Sequence, residues 1–188
     1  MLYADTMTAR TSGEARAAFP PDPIKVGISA CLLGEAVRYD GGHKYEAFVA
    51  ALADRFSLVP TCPEVEIGLG VPREPVHLVY REGEVRLVAD SGVDHTAKMR
   101  AFAAGRARDL EHAGLCGYVF KRSSPSCGLR GVALAGTDRD ASGLFADTLV
   151  TAIPDLPVEE ETVLRDPAKL HLFVARVLEY HRKVRSSP

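Results

Sequence analysis

Residues Lys25 to Leu33 read KVGISACLL, an apolar run that ends in a cysteine and enters the loop GEAVRYDGGHK. An apolar run bounded by a glycine-containing loop predicts a buried strand. The pattern recurs in LVPTC (Leu58 to Cys62) and in YVFK (Tyr118 to Lys121), which is followed by RSSPSCG. Each of the three predicted strands therefore leads into a loop that carries one cysteine.

Helical patterns separate these strands. Apolar residues have helical spacing in Tyr45 to Phe56, in Asp94 to Leu110 and in Gly143 to Ile153. The clearest helix covers Asp166 to Lys183, because Asp166 is a good N-cap and Pro167 suits the first helical position. Strands that alternate with helices predict an α/β fold with a mainly parallel, Rossmann-like sheet flanked by helices.

Shorter segments complete the prediction. VHLVY and EVRLV, joined by Arg81, Glu82 and Gly83, predict a small β-hairpin. The glycines and prolines of Cys62 to Pro75 predict a long loop without regular structure. We expect a strand or helix in GVALAG (residues 131–136) and an extended segment in LPVEEE (residues 156–161).

Composition predicts one domain. The chain has 188 residues, of which 46% are hydrophobic and 26% charged, which suits a single core. We expect a flexible leader over residues 1–23, one α/β domain over 24–184 and a short tail over 185–188. The absence of a signal-peptide apolar core and of a spanning segment predicts a cytoplasmic protein with no membrane association. A net charge of −2 disfavours nucleic acid as the partner.

Three of the four cysteines are predicted to share a site. The carboxyl ends of parallel strands meet at one edge of a sheet, and Cys31, Cys62 and Cys127 lie at or just beyond such ends. Cys116 precedes its predicted strand, so we place it at the opposite edge or in the core. No CxxC pair occurs, so a shared site must be assembled by the fold.

Three thiolates are compatible with several kinds of site. They hold zinc with an open fourth position, or three irons of a cubane cluster, and glycine-rich loops favour the cluster. His43 would complete a closed zinc site of three cysteines and one histidine. Two other readings are three unrelated buried cysteines and a thiol enzyme with Cys127 as nucleophile.

Three segments together resemble the family catalogued as domain of unknown function 523: CLLG…VRYDGGHK, CPEVEIGLGVPREP and KRSSPSCG. Its characterised members are TudS-type thiouracil desulfidases, and the resemblance runs from about Lys25 to Arg182. It implies a [4Fe–4S] cluster on Cys31, Cys62 and Cys127. It also implies non-redox removal of sulfur from a thiolated pyrimidine, which leaves the oxo base and sulfide.

The implied reaction needs a base and groups that bind the substrate. Glu64, two residues after Cys62, is predicted to activate water, and a hydroxyl of Ser124 or Ser126 to orient the substrate or the water. Asp40 is the alternative base. Arg38 and Lys44 would meet a phosphate if the substrate is a nucleotide. His43 is a further candidate for substrate binding.

The substrate class remains broader than one compound. Longer members of the family carry a second domain that is linked to thiouridine in transfer RNA. No such domain is present before Pro188. We therefore expect thiouracil, thiouridine or its nucleotide as the substrate and disfavour transfer RNA. The alternative function is a non-catalytic zinc or iron–sulfur module in sulfur or metal handling. A mutation of Glu64 distinguishes the two. The sequence does not determine the oligomeric state.

Overall fold

The computed structural model describes residues 23–186, which form a parallel sheet between helices. The strands are β1 (Lys25–Ser29), β2 (Ser57–Thr61), β3 (Val76–Arg81), β4 (Glu84–Ala89), β5 (Leu115–Phe120), β6 (Val132–Ala133), β7 (Asp140–Ala141) and β8 (Val158–Glu160). The α-helices are α1 (Ala47–Ala50), α2 (Pro63–Glu66), α3 (Thr96–His112), α4 (Leu144–Ala152) and α5 (Pro167–Ser186). Two 3₁₀ turns cover Ala30–Leu33 and Ala51–Asp54.

The central sheet has the strand order β2-β1-β5-β8, and every neighbouring pair is parallel. Strand β5 is buried along its whole length, as expected for a strand covered on both faces. Two antiparallel pairs, β3–β4 and β6–β7, lie outside this sheet. The sheet therefore presents the carboxyl ends of its strands at one common edge.

Each face of the sheet has its own hydrophobic core. On one face α3, α4 and the β3–β4 hairpin pack together, with Met99, Phe145 and Leu149 fully buried. On the other face α5 and the segment around α1 pack together, with Val49 and Val177 fully buried. Tyr118, Val119 and Phe120 of β5 alternate between the two cores, which is the period of a strand.

Close packing in the middle of the sheet depends on a glycine. A Cβ atom at Gly27 would lie 2.2 Å from the ring of Tyr118, well inside contact distance. Tyr118 stacks on Phe120 with ring centroids 4.2 Å apart and meets Phe145 edge to face. The glycine of KVGIS thus makes room for the aromatic centre of the core.

Most predicted elements are confirmed. The hairpin forms with Glu82 and Gly83 at its tip, both at positive φ, as a type I′ turn requires. Helix α3 begins at Thr96, whose N–H donates to Asp94 Oδ1 at 2.8 Å. Helices α4 and α5 occupy the predicted segments. GVALAG contributes the short strand β6, and LPVEEE contributes β8.

Three local predictions are wrong. The helix over residues 45–56 is only the turn α1 followed by a 3₁₀ turn. The segment Cys62 to Pro75 contains the one-turn helix α2, because Pro63 suits the first position of a helix. Cys116 lies inside β5 and not before it, since the strand begins at Leu115. It is nevertheless buried in the core, as one of the two predicted placements requires.

The ends of the chain lie partly outside this description. The predicted leader falls on residues of which only Pro23 is described. Helix α5 continues to Ser186, two residues into the predicted tail. Within residues 23–186 we find no helix with the length and apolar character needed to cross a membrane.

Candidate metal centre

A cavity of about 700 Å³ opens at the carboxyl edge of the parallel sheet. Cys31, Cys62 and Cys127 all line it, and each follows a different strand. The predicted convergence is therefore present in the structure. All four cysteines are free, so no disulfide competes for these thiols.

The first cysteine lies on the 3₁₀ turn after β1. Gly34 ends this turn in the left-handed conformation, with φ of 92°, which glycine adopts without strain. The carbonyl oxygen of Cys31 accepts hydrogen bonds from the N–H groups of Gly34 at 3.3 Å and Lys44 at 2.9 Å. The loop that follows is thereby folded back against the cysteine.

The second cysteine lies between β2 and α2. Its N–H donates to Glu66 Oε1 at 3.2 Å, and its carbonyl accepts from the Glu66 N–H at 2.9 Å. The Cys62 thiol donates to the carbonyl of Val37 at 3.7 Å, a long contact of the kind sulfur makes. Glu66 thus holds the backbone of Cys62 at the start of the helix.

The third cysteine lies in the loop after β5. Ser124 Oγ accepts hydrogen bonds from the N–H groups of Ser126 at 3.3 Å and Cys127 at 3.0 Å. The first N–H groups of α4, from Leu144 and Phe145, donate to the carbonyls of this loop at 3.2 and 3.0 Å. The open donors of a helix N-terminus are therefore satisfied by the cysteine loop.

Burial controls the ionisation of the three thiols. Desolvation raises the pKa of Cys31 to about 11, and Lys121 only partly opposes it. Desolvation likewise raises the pKa of Cys62, and it raises the pKa of Cys127 well above its ordinary range, to which the charges of Cys62 and Cys31 contribute. The protein alone keeps these thiols neutral, and a bound metal cation would ionise them. A cysteine nucleophile needs a lowered pKa, whereas the pKa of Cys127 is raised.

The donor set fits a metal–sulfur group. Three soft thiols, each from the segment that follows a different parallel strand, share one cavity, and soft thiolates are ligands that iron–sulfur and zinc sites prefer. Among residues 23–186, no three His, Cys, Asp or Glu side chains are gathered closely enough to hold one metal ion. A cluster does not need that closeness, because its irons each take a separate thiolate.

Glu64 and Arg73 form a paired unit beside the cysteines. Glu64 Oε2 accepts from Arg73 Nη2 at 2.5 Å and Nε at 3.1 Å, and Glu64 Oε1 accepts from Ser126 Oγ at 2.9 Å. The Arg73 side chain is 5% exposed and that of Glu64 13%. The structure thus pairs Arg73 with Glu64 in a largely buried ion pair.

The two candidate serines have different surroundings. Ser124 lines the cavity, whereas Ser126 is buried behind it and faces Glu64. Arg38 and Lys44 also line the cavity, as the predicted substrate-binding role requires.

Asp40 and His43 are not among the residues that line the cavity. Asp40 Oδ1 accepts the Gly42 N–H at 3.0 Å, which closes a turn, and this hydrogen bond lowers the pKa of Asp40. His43 Nδ1 accepts the Tyr45 N–H at 3.2 Å. The predicted roles of both residues remain predictions, and their observed hydrogen bonds are local ones in the loop.

Several cavity residues were not predicted. Tyr39 lies between two predicted residues of the same loop. Lys121 pairs with the buried Glu161 at 3.0 Å, and His77 meets Asp90 at 2.6 Å at the hairpin. Lys121 lies in KRSSPSCG, one of the three segments that carry the family resemblance, so the sequence could have indicated it. Nothing in the sequence places His77 at the cavity, because the alternating pattern of a strand does not show which loops the strand faces.

Comparison with known proteins identifies the family of this chain. Residues 26–161 match the family model described as 2-thiouracil desulfurase. The uncharacterized protein YbbK of Bacillus subtilis (strain 168) is 33% identical over 110 residues, which are 54% of this chain and 71% of that protein. A solved structure titled [4Fe-4S]-dependent thiouracil desulfidase TudS has a TM-score of 0.64 and 33% identity, over 80% of this chain and 99% of that one. The chain therefore belongs to the 2-thiouracil desulfurase family.

Proposed function

We propose that this protein is a [4Fe–4S]-dependent desulfidase that acts on a thiolated pyrimidine, either thiouracil, thiouridine or its nucleotide. One observation carries the proposal: cysteines from the segments after three parallel strands line a single cavity with Glu64 and Ser124. The similar structure is titled a [4Fe-4S]-dependent thiouracil desulfidase, which supports the same chemistry. The thiocarbonyl and water give the carbonyl and hydrogen sulfide, so no electrons are exchanged.

Cys31, Cys62 and Cys127 would hold the cluster. When bound, the cluster supplies an iron Lewis acid that suits the soft sulfur of a thiocarbonyl group. The cavity wall beside these cysteines supplies the other groups of the reaction. Arg38 and Lys44 line it and would meet the phosphate of a nucleotide substrate.

Glu64 takes the proton of the attacking water. Arg73 and Ser126 each donate to one of its carboxylate oxygens, which fixes the orientation of the carboxylate. A carboxylate held in place is the requirement for a general base. We assign Ser126 and Arg73 the positioning of Glu64.

Ser124 is the hydroxyl that meets the substrate or the water. Its oxygen already accepts two backbone N–H groups, so its own hydrogen remains to be donated. It lines the cavity, whereas Ser126 does not. We assign no step to Asp40 or His43, which lie outside the cavity wall.

The proposed partner is a small thiopyrimidine, and the proposed location is the cytoplasm. Reduced thiols support that location, because the four cysteines are free and a reducing compartment keeps them so. A protein with a net charge of −2 has little excess positive charge with which to bind the phosphates of a transfer RNA.

The first test is the content of iron and acid-labile sulfide after anaerobic purification. We expect about four of each per chain, as a [4Fe–4S] cluster requires, and their loss in Cys127→Ser. Incubation with 2- and 4-thiouracil should release sulfide and form uracil. Zinc in place of iron, with no sulfide released, would overturn the proposal.

A second test addresses Glu64. Glu64→Gln keeps the size of the side chain and a hydrogen-bond acceptor but cannot accept the proton. We expect kcat to fall by about 10² to 10⁴ while iron content stays at the wild-type value. Full activity in this variant would show that another group is the base.

A further inference from the structure

The rim of the cavity carries an aromatic side chain that the reaction does not use. Tyr39 lines the cavity and is 43% exposed. No other tyrosine, and no phenylalanine, is found among the described residues that line it. An exposed tyrosine ring in a cavity is available to a planar ligand.

The backbone holds this tyrosine in place. The carbonyl of Tyr39 accepts the N–H of Arg73 at 2.9 Å, and the Arg73 side chain donates to the carbonyl of Val37 at 2.9 Å. Arg73 therefore binds the loop at Val37 and at Tyr39, the residues on either side of Arg38. The same arginine also pairs with Glu64, so Tyr39 and the proposed base are positioned by one residue.

The guanidinium group next to it adds to the stacking surface. The Cζ atom of Arg38 lies 5.3 Å from the centre of the Tyr39 ring, within the range of a cation–π contact. Tyr39 remains substantially exposed with Arg38 in this position. The backbone of Tyr39 is held in place while 43% of the residue stays exposed at the cavity, so its ring is available to a ligand and is not packed into the core.

We propose that Tyr39 is the stacking platform for the heterocyclic ring of the substrate and thereby selects planar bases. This inference rests on the proposed function, because it deepens the substrate class of the same site. Stacking of a base on an aromatic side chain accounts for an affinity change of roughly tenfold or more. The hydroxyl of Tyr39 has no part in this role.

The test compares Tyr39→Leu with Tyr39→Phe in the cluster-loaded protein. Tyr39→Leu should raise the KM for thiouracil and the Kd for uracil by about tenfold, with kcat within about twofold of wild type. Tyr39→Phe should match wild type, since it keeps the ring. Tyr80→Leu is a matched control, because Tyr80 is 42% exposed and covered by Arg139 at 4.5 Å but lies outside the cavity wall.

The outcomes separate the two proposals. If wild type desulfidates thiouracil and Tyr39→Leu has an unchanged KM and Kd, the stacking role is overturned and the proposed function stands. If wild type neither binds uracil nor releases sulfide, the proposed function fails and the stacking role fails with it. A loss in Tyr39→Phe equal to that in Tyr39→Leu would show that the hydroxyl, not the ring, is used.

Discussion

At the scale of single residues, the site depends on buried polar side chains that support the groups in the cavity. Arg73 is the clearest example: its guanidinium group donates to Glu64 and to the carbonyls of Val37 and Gly70. The Arg73 side chain is 5% exposed and that of Glu64 13%, so this ion pair has lost most of its contact with water. Removing one partner of a buried pair leaves the other charge uncompensated.

We predict that Arg73→Met destabilises the protein by about 3 kcal/mol. The expected loss comes mainly from the unpaired Glu64 carboxylate, and urea unfolding of the metal-free protein measures it. Arg81→Met on the exposed end of β3 is the control and should change stability by less than about 0.5 kcal/mol. Equal stability of the two variants would mean that the pair contributes nothing.

The pKa of Cys31 predicts a pH dependence of the metal-free protein. The thiol has a pKa of about 11 in the fold against an ordinary 9.0, so the unfolded chain releases this proton first. The unfolding free energy should therefore fall by about 2 kcal/mol as pH rises from 9 to 11. Cys31→Ala should show a shallower fall, and an unchanged slope in that variant would contradict the assignment.

At the scale of elements, the Cys127 loop and the start of α4 are built as one unit. Gly143 donates its N–H to Gly128 O at 2.7 Å. A Cβ atom at Gly143 would lie 2.5 Å from the backbone of Ser126, which no side-chain movement can relieve. The glycine therefore sets how closely the helix approaches the loop.

We predict that Gly143→Ala destabilises the protein by about 1 to 3 kcal/mol and reduces iron content, because the Cys127 loop must move. Gly105→Ala is the control within helix α3. A Cβ atom there meets nothing within 4 Å, so alanine should stabilise the helix by about 0.5 to 1 kcal/mol. Thermal unfolding and iron analysis check both variants, and intact iron content in Gly143→Ala would refute the coupling.

At the scale of the whole molecule, the parallel sheet has the cavity at one edge and the buried Cys116 near the opposite edge. The cavity and its three cysteines lie beyond the carboxyl ends of β1, β2 and β5. Cys116 is the second residue of β5, near the opposite edge, and its thiol contacts Gly114 O at 3.3 Å and His181 Nδ1 at 3.6 Å. Burial raises its pKa, as expected for a core thiol.

We predict that Cys116→Ala keeps full iron content and sulfide release and costs about 1 to 2 kcal/mol of stability, from the small cavity it leaves. Iron analysis and thermal unfolding measure the two quantities. Cys62→Ala is the contrasting variant and should lose the iron. Loss of iron in Cys116→Ala would mean that the site has a different set of ligands.

Much of the fold was predictable because hydrophobic periodicity is a local property. The strand containing Cys31, the hairpin and helix α5 each carry their own pattern and end signals. The helix expected over residues 45–56 shows the limit, since spacing alone did not reveal that it stops after one α-helical turn. The short helix α2 was missed because four residues are too few to show a period.

The apolar runs and the cysteines that follow them were enough to predict three parallel strands with Cys31, Cys62 and Cys127 beyond their carboxyl ends, and hence at one edge. The groups that lie beside these cysteines became known only from the packed fold. It paired Glu64 with Arg73 and Ser126, turned Ser124 and Tyr39 toward the cavity and left Asp40 in a turn. The physical reason is that strand direction is encoded locally, whereas contacts between loops depend on the packing of the whole chain.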